Sequence, residues 1–293
     1  MNSDIKENKG ISALWLKIIA CILMTLDHVA LLFISKGSGD IPTDYYILRA
    51  LGKMAFPILA YLAVEGCYKT SNIRMYLIRL GGMAILLDAF AYGFGAINNI
   101  TIASNPLLGN AFTDLFMGVL LVYLLKRKNI YSPFATIPFL YELFSDFVIS
   151  DNYGTLFKSD WGTFSIVLFL FFFLAREATN LYLRRKALSA GLEQEAYILN
   201  PGKAYQYASS VALIFVECLF YLIYRLDYTA FVLPNEFVPI GTYSTLSFIF
   251  ICLYNGKRGF SNKIIQYSFY AYYPVHIVIL GIMSMCFGIL SRM

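Results

Sequence analysis

Residues 13–35 read ALWLKIIACILMTLDHVALLFIS, an apolar run long enough to form a helix that crosses a lipid bilayer. Such a helix needs about 20 mainly apolar residues. The run is too long for the core of a signal peptide, and no small-residue cleavage site follows it. The pattern therefore predicts a retained first membrane helix, preceded by a polar segment over residues 1–12.

Apolar segments of similar length recur along the rest of the chain, which is 59% hydrophobic and 14% charged. A soluble domain carries about 25% charged residues, so lipid is the expected solvent. The sequence predicts an all-α, polytopic bundle of about nine transmembrane helices in one membrane domain, residues 1–293. The predicted helices cover residues 13–35, 46–67, 76–95, 111–125, 131–150, 161–183, 205–226, 237–254 and 264–290.

Lysine and arginine are abundant in alternate connecting segments and sparse in the others. The basic segments contain Lys6 and Lys9; Lys69, Arg74 and Arg79; Lys126, Arg127 and Lys128; Arg184, Arg185, Lys186 and Lys203; and Lys257, Arg258 and Lys263. Cytoplasmic loops of membrane proteins carry such an excess of positive charge. The pattern predicts that the N-terminus, residues 1–12, is cytoplasmic, and that residues 184–203 form a cytoplasmic loop.

Several functional classes are disfavoured by the same pattern. Nucleic-acid binding is not expected, because the basic residues form short clusters between apolar runs rather than one basic face. The five cysteines occur singly, without zinc-type spacing, so no metal site is expected. No Walker loop, GxGxxG, HExxH or GxSxG sequence is present.

Ionisable residues occur inside the predicted membrane helices. An ionised side chain near the bilayer centre costs about 2.5–3.5 kcal/mol even on a lenient scale, so such residues normally face the protein interior. With a rise of about 1.5 Å per residue, His28, Lys53 and Asp88 lie at a similar depth in the outer half of the membrane. We therefore expect a polar chamber that opens toward the outer side.

Only two histidines, His28 and His276, are present. Histidine both accepts and donates a proton near neutral pH, so His28 is the expected catalytic base. Asp27 precedes it and points about 100° away around the helix, so Asp88 or Asp114 is the more suitable partner. His276 either joins the site or compensates the break at Pro274, and the sequence favours neither alternative.

Basic residues suggest two binding roles. Arg49 and Lys53 share one helix face and could stabilise an oxyanion or bind a substrate anion; interhelical ion pairing is an equal alternative. Glu65, at the inner end of its helix, is expected to form a cap or an ion pair. The candidates for phosphate binding are Lys69, Arg74, Arg79, Lys257 and Arg258, although topology and lipid headgroups explain these charges as well.

Longer stretches of the sequence resemble the TraX family over nearly the whole chain. They are LKIIA (16–20), MTLDH (24–28), GKMAFP (52–57), VEG (64–66) with Thr70, Asn72, Tyr76 and Arg79-Leu80, NAFT (110–113), YNGKRG (254–259) and FYAYYPVH (269–276). The name-giving member of that family is the F-pilin acetylase, and the family looks related to a wider group of membrane acyltransferases.

The resemblance implies a multi-pass acetyltransferase of the bacterial cytoplasmic membrane, with acetyl-CoA as the acyl donor. It maps the catalytic histidine of the wider group onto His28, with Asp27, Lys53 and Arg49 beside it. Asp88, Asp114, His276 and Glu65 are then candidates for binding the acceptor. The family usually has Arg at the position of Lys53 and is expected to have Thr at that of Asp114, so the acceptor could differ from pilin.

Together, the residues and the resemblance predict a membrane acyltransferase. Its expected partners are lipid, acyl-CoA and an unidentified envelope acceptor. Direct transfer and an acyl-histidine intermediate are both open. A proton-coupled transporter would use the same buried charges, but neither repeat symmetry nor paired broken helices are evident. A scaffold subunit is a third reading, and the number of charges at membrane depth argues against it.

Overall fold

The computed structural model describes residues 10–34, 42–97, 109–148, 158–191, 202–225 and 242–286, and these residues are predominantly helical. The helices are α1 (Ala13–Phe33), α2 (Thr43–Lys53), α3 (Ala55–Lys69), α4 (Ile73–Ile97), α5 (Ala111–Arg127), α6 (Thr136–Val148), α7 (Gly162–Ser189), α8 (Gly202–Arg225), α9 (Phe248–Leu253) and α10 (Lys263–Cys286). Short 3-10 turns, Ser132–Ala135 and Thr242–Ser247, lead into α6 and α9. Each predicted apolar segment overlaps a helix, which confirms the all-α class.

Five of these stretches are long and apolar enough to cross a membrane: Ala13–Phe33, Thr43–Lys69, Ile73–Ile97, Gly162–Ser189 and Lys203–Ile223. The other predicted spans also form helices, but within the described residues they do not reach the same length and hydropathy. Many large apolar side chains on the helices are exposed, as expected for a protein whose solvent is lipid.

The second predicted helix is interrupted at Met54, which separates α2 from α3. The physical reason lies three residues further on. Pro57 has no N–H to donate, and its ring crowds the carbonyl group four residues earlier, that of Lys53. The chain therefore turns at Met54 before the helical hydrogen bonds resume.

The predicted loop over residues 184–203 is partly helical. Helix α7 continues to Ser189, and α8 begins at Gly202. The remainder of that prediction, residues 192–201, lies outside the described residues, as do residues 1–9.

The chain divides into two compact units. Unit 1 consists of residues 1–59, 175–211 and 243–293, and unit 2 of residues 60–174 and 212–242. Helices α3, α7 and α8 contribute residues to both. The prediction of one membrane domain stays a prediction.

In unit 1 the segment before α1 lies along the turn between α9 and α10. Ile11 N–H donates to the carbonyl of Leu253 at 2.9 Å, and Asn255 N–H donates to the carbonyl of Ile11 at 2.9 Å. The first N–H groups of α1 then donate to the carbonyls of Lys257 and Arg258, at 2.9 and 3.2 Å. Because the first turn of a helix has N–H groups without intrahelical acceptors, these carbonyls cap α1.

In unit 2, α5 and α7 approach each other closely at Gly118. A Cβ atom built on Gly118 would collide with the ring of Phe169. The ring itself is fully buried and is therefore not free to move aside. This glycine is needed for the close helix contact, not for its backbone dihedral angles.

Gly118→Ala is expected to destabilise the protein by about 1–3 kcal/mol, because the added methyl group overpacks a buried contact. Thermal unfolding in detergent, followed by intrinsic fluorescence, measures the effect. Gly82→Ala is the matched control, since a Cβ atom at Gly82 meets nothing within 4 Å. Equal midpoints for the two variants would contradict the packing described for Gly118.

Candidate functional site

Helices α1 and α10 of unit 1 share an interface that carries both histidines. Lys17 of α1 lies over the ring of Phe269, 5.5 Å from its centroid, and His28 lies beside His276. Residue numbers increase in the same direction along both helices, so the two run parallel at this interface. Thr25, one turn before His28, shares the face because residues three and four apart in a helix are neighbours.

The two imidazole rings form a hydrogen bond. Nε2 of His276 lies 2.9 Å from Nδ1 of His28, and the ring centroids are 4.9 Å apart. Nδ1 of His276 lies 2.9 Å from the carbonyl oxygen of Tyr272, four residues earlier on α10. His276 is 6% exposed, whereas His28 is half-buried.

This geometry determines which nitrogen carries each proton when both rings are neutral. The carbonyl of Tyr272 can only accept, so Nδ1 of His276 must be the protonated nitrogen. Nε2 of His276 then carries a lone pair and accepts the proton on Nδ1 of His28. Nε2 of His28 is consequently the nitrogen with a lone pair, which is the state that a general base requires.

Tyrosines of α10 restrict the two rings. The ring of Tyr272 stacks on His276, with centroids 5.0 Å apart and an interplanar angle of 16°. The hydroxyl of Tyr272 donates to the carbonyl of Cys21 at 3.2 Å and lies 2.5 Å from Oγ1 of Thr25, so it joins α10 to α1. Tyr273 meets both imidazoles edge-on. These contacts hold the imidazole planes in place.

Pro274 lies inside α10, as the sequence predicts. The carbonyl that a proline leaves without its helical N–H partner is four residues earlier, here that of Tyr270. The ring of His276 instead contacts the carbonyl of Tyr272. Compensation of the proline break therefore does not account for the position of His276.

Asp27 and Arg49 form an ion pair between α1 and α2, with 2.6 Å between Arg49 Nη1 and Asp27 Oδ2. Both side chains are almost buried, 13% and 12% exposed. A Cβ atom on Gly52 would collide with Asp27, so this glycine lets the helices approach at the pair. Of the two expected alternatives for Arg49, the geometry matches interhelical ion pairing. Lys53 is half-buried at the end of α2.

Asp88 and Asp114, the other predicted partners, belong to unit 2 and have partners there. Asp88 accepts a hydrogen bond of 2.7 Å from the side-chain amide of Asn110, whose oxygen in turn caps α5 at Thr113. Asp114 is fully buried and accepts from the hydroxyl of Ser159 at 2.5 Å. It also accepts from backbone N–H groups just before α7. Both carboxylates therefore organise helix N-termini.

Glu65 forms the expected ion pair, with 2.8 Å between its Oε1 and Nζ of Lys69 one turn later. Two further basic candidates of unit 2 lie in α4. Arg74 is exposed, and Arg79 is half-exposed. In unit 1, Lys257 and Arg258 are exposed in the turn that caps α1. The residues that the structure describes contain no group of three or more His, Cys, Asp and Glu that could hold a metal ion.

Sequence reasoning missed three residues of the α1–α10 interface: Lys17, Thr25 and Tyr272. Helical spacing could have indicated them. Lys17, Thr25 and His28 fall on one face of α1, and Tyr272 precedes His276 by four residues on α10. The apolar or hydroxyl character of the neighbouring positions made them look like ordinary membrane-helix residues.

The family model described as "TraX protein" matches residues 12–284 of this chain. A curated relative is the "Probable fimbrial assembly protein FimC, serogroup H1" of Dichelobacter nodosus, which is 28% identical over 280 residues. That alignment covers 94% of this chain and 96% of the relative. No solved structure matches.

Arg49→Met is expected to destabilise the protein by about 3 kcal/mol, because it leaves the almost buried carboxylate of Asp27 without its cation. The double variant Asp27→Asn/Arg49→Met should unfold at a higher temperature than Arg49→Met alone. Thermal unfolding of the wild type, both single variants and the double variant measures this coupling. Strictly additive effects would show that the ion pair does not stabilise the fold.

Proposed function

Because this chain belongs to the TraX family, we propose that it is a membrane acetyltransferase that moves an acetyl group from acetyl-CoA to an amine or hydroxyl. The relative from Dichelobacter nodosus is named a probable fimbrial assembly protein. By analogy, the acceptor is a pilin or another envelope component at the outer side of the cytoplasmic membrane. The observation that carries the proposal is the hydrogen-bonded histidine pair.

The proposed topology is multi-pass with a cytoplasmic N-terminus. The alternation of basic and charge-poor connections supports this orientation. The turn that contains Lys257 and Arg258 caps the start of α1, so this turn lies at the N-terminal end of α1. Acetyl-CoA then approaches from that end, and the acceptor approaches from the other.

His28 is the general base of the proposed reaction. The acceptor nitrogen or oxygen attacks the thioester carbonyl carbon, and its proton passes to Nε2 of His28. A C–N or C–O bond forms, the C–S bond breaks, and the proton is then delivered to the departing sulfur of CoA. His276 acts through His28 as a positioning residue, because its hydrogen bond selects the tautomer that leaves Nε2 unprotonated.

In the proposed complex, cations stabilise the developing oxyanion and the phosphate groups of CoA. Lys53 is the candidate for the developing oxyanion, in preference to Arg49, whose guanidinium is bound to Asp27. The candidates for the CoA phosphates are Lys257 and Arg258 of unit 1 or, as an alternative, Lys69, Arg74 and Arg79 of unit 2. Lys69 is the least suited of them, because it pairs with Glu65.

The proposal is tested with purified protein in liposomes, labelled acetyl-CoA, and envelope extract from cells that lack the protein as the source of acceptor. Label transferred to a protein or polymer supports the proposal, and mass spectrometry of the labelled product identifies the acceptor. Uptake or efflux driven by a pH gradient, without consumption of acetyl-CoA, would show a transporter instead.

His28→Ala is expected to abolish acetyl transfer, a loss of at least about 10²–10⁴-fold, because it removes the base. Its thermal midpoint should fall only slightly, since His28 is half-buried and the lost hydrogen bond to His276 is worth about 1 kcal/mol. Label transfer and unfolding are measured on the same preparation. A stable His28→Ala protein with wild-type transfer would exclude this mechanism.

His276→Gln is expected to retain more activity than His276→Ala. The side-chain oxygen of glutamine can still accept the proton on Nδ1 of His28, whereas alanine removes the acceptor and leaves the ring free to rotate. The pH–rate profile provides the readout, because loss of the tautomer restraint should move its lower limb, which a purely structural defect would not. Identical profiles for both variants and the wild type would contradict a positioning role.

A further inference from the structure

A small cavity lies in unit 1 between the start of α1 and the start of α10. Its polar lining comes from Lys17, Arg258, Ser261 and Gln266, and its apolar lining includes Phe260 and Phe269. Gln266 donates a hydrogen bond of 3.1 Å to the hydroxyl of Ser261, which links two of the polar groups. Among the described residues, no acidic side chain contributes to the lining.

The electrostatics of this cavity are unusual for its position. Lys17 and Arg258 both line this cavity, so their positive charges repel each other. Lys17 is half-buried, and none of the described acidic side chains forms an ion pair with it. Two like charges beside a low-dielectric surface are costly unless an anion lies between them. The cavity is therefore electrostatically suited to a negative ligand.

The donors indicate the kind of anion. A guanidinium and an ammonium bind phosphate oxygens through charge-assisted hydrogen bonds, and the guanidinium can do so with two N–H groups at once. The ring of Phe269 lies under Lys17, and Phe260 also lines the cavity, so part of the cavity wall is apolar. The donors of this lining suit the oxygens of a phosphate group.

The position of the cavity relative to the histidine pair connects it with the proposed reaction. Lys17 and His28 are eleven residues apart on α1, which is close to three turns, so they share one face and are separated by about 16 Å along the helix. An anion held at Lys17 thus lies toward the start of α1, and His28 lies about three turns further along the same face. A ligand with phosphates at one end and a reactive group on a long flexible arm can occupy both positions.

We infer that the cavity formed by Lys17, Arg258, Ser261 and Gln266 binds the phosphate groups of acetyl-CoA. The assignment rests on the proposed function, and it names Lys17 and Arg258 as the cations that anchor the donor. A phospholipid headgroup offers the same phosphate chemistry, and the experiment distinguishes the two sources.

Binding is measured by calorimetry with the full-length protein in nanodiscs of phosphatidylcholine, which carry no net lipid charge. The probes are CoA and pantetheine, which has the same arm without any phosphate. Lys17→Gln and Arg258→Gln should each weaken CoA binding by about tenfold to a hundredfold and leave pantetheine binding unchanged. The matched control is Lys263→Gln, because Lys263 is exposed at the start of α10 and does not line the cavity.

The comparison of CoA with pantetheine needs no variant, so it remains valid if a variant folds poorly. Wild-type protein should bind CoA at least about tenfold more tightly than pantetheine. Equal CoA affinity in Lys17→Gln, Arg258→Gln and the wild type would overturn the assignment and leave the acetyltransferase proposal intact. A wild type that binds no CoA, but whose stability rises with phosphatidylglycerol only when Lys17 and Arg258 are present, would assign the cavity to lipid. Absence of acetyl transfer despite tight, Lys17-dependent CoA binding would instead reject the proposed function.

Discussion

The candidate site depends on the hydrogen bond between His28 and His276. These two residues are 248 positions apart in sequence, and the bond joins α1 to α10. A backbone carbonyl has no proton to donate, so the contact with Tyr272 fixes the direction of both imidazole hydrogen bonds. The same tyrosine ties α10 to α1 through its hydroxyl. The position of the helices and the protonation of the rings are therefore set by one group of contacts.

Two other ionisable sites named from the sequence have local partners, which limits what they can do chemically. The ion pair of Asp27 with Arg49 neutralises two charges next to the histidine, and Asp114 uses its oxygens to bind the N–H groups before α7. Charges in a low-dielectric interior are tolerated when they are paired and hydrogen-bonded. By contrast, the described lining of the cavity shared by Lys17 and Arg258 contains no carboxylate, and for this reason an anion is proposed there.

The helices themselves could be predicted, because bilayer thickness sets the length of the apolar run that a spanning helix requires. The boundaries were less accurate where a local rule competes with that pattern. Pro57 interrupts the second predicted helix at Met54, and the seventh helix continues to Ser189, beyond the predicted start of a loop. The histidines were predicted as candidates, whereas Lys17 was not, because a lysine near a helix end is also explained by topology.

By itself, the sequence determined the class of solvent, the approximate helices and the kinds of ionisable residue that the membrane interior contains. Only the tertiary structure decided which of them meet. His28 could have paired with a carboxylate, but its partner is His276, and Arg49 could have faced a substrate, but it faces Asp27. The physical reason is that helical periodicity fixes the direction of a side chain around its own helix, while the partner depends on how distant helices pack.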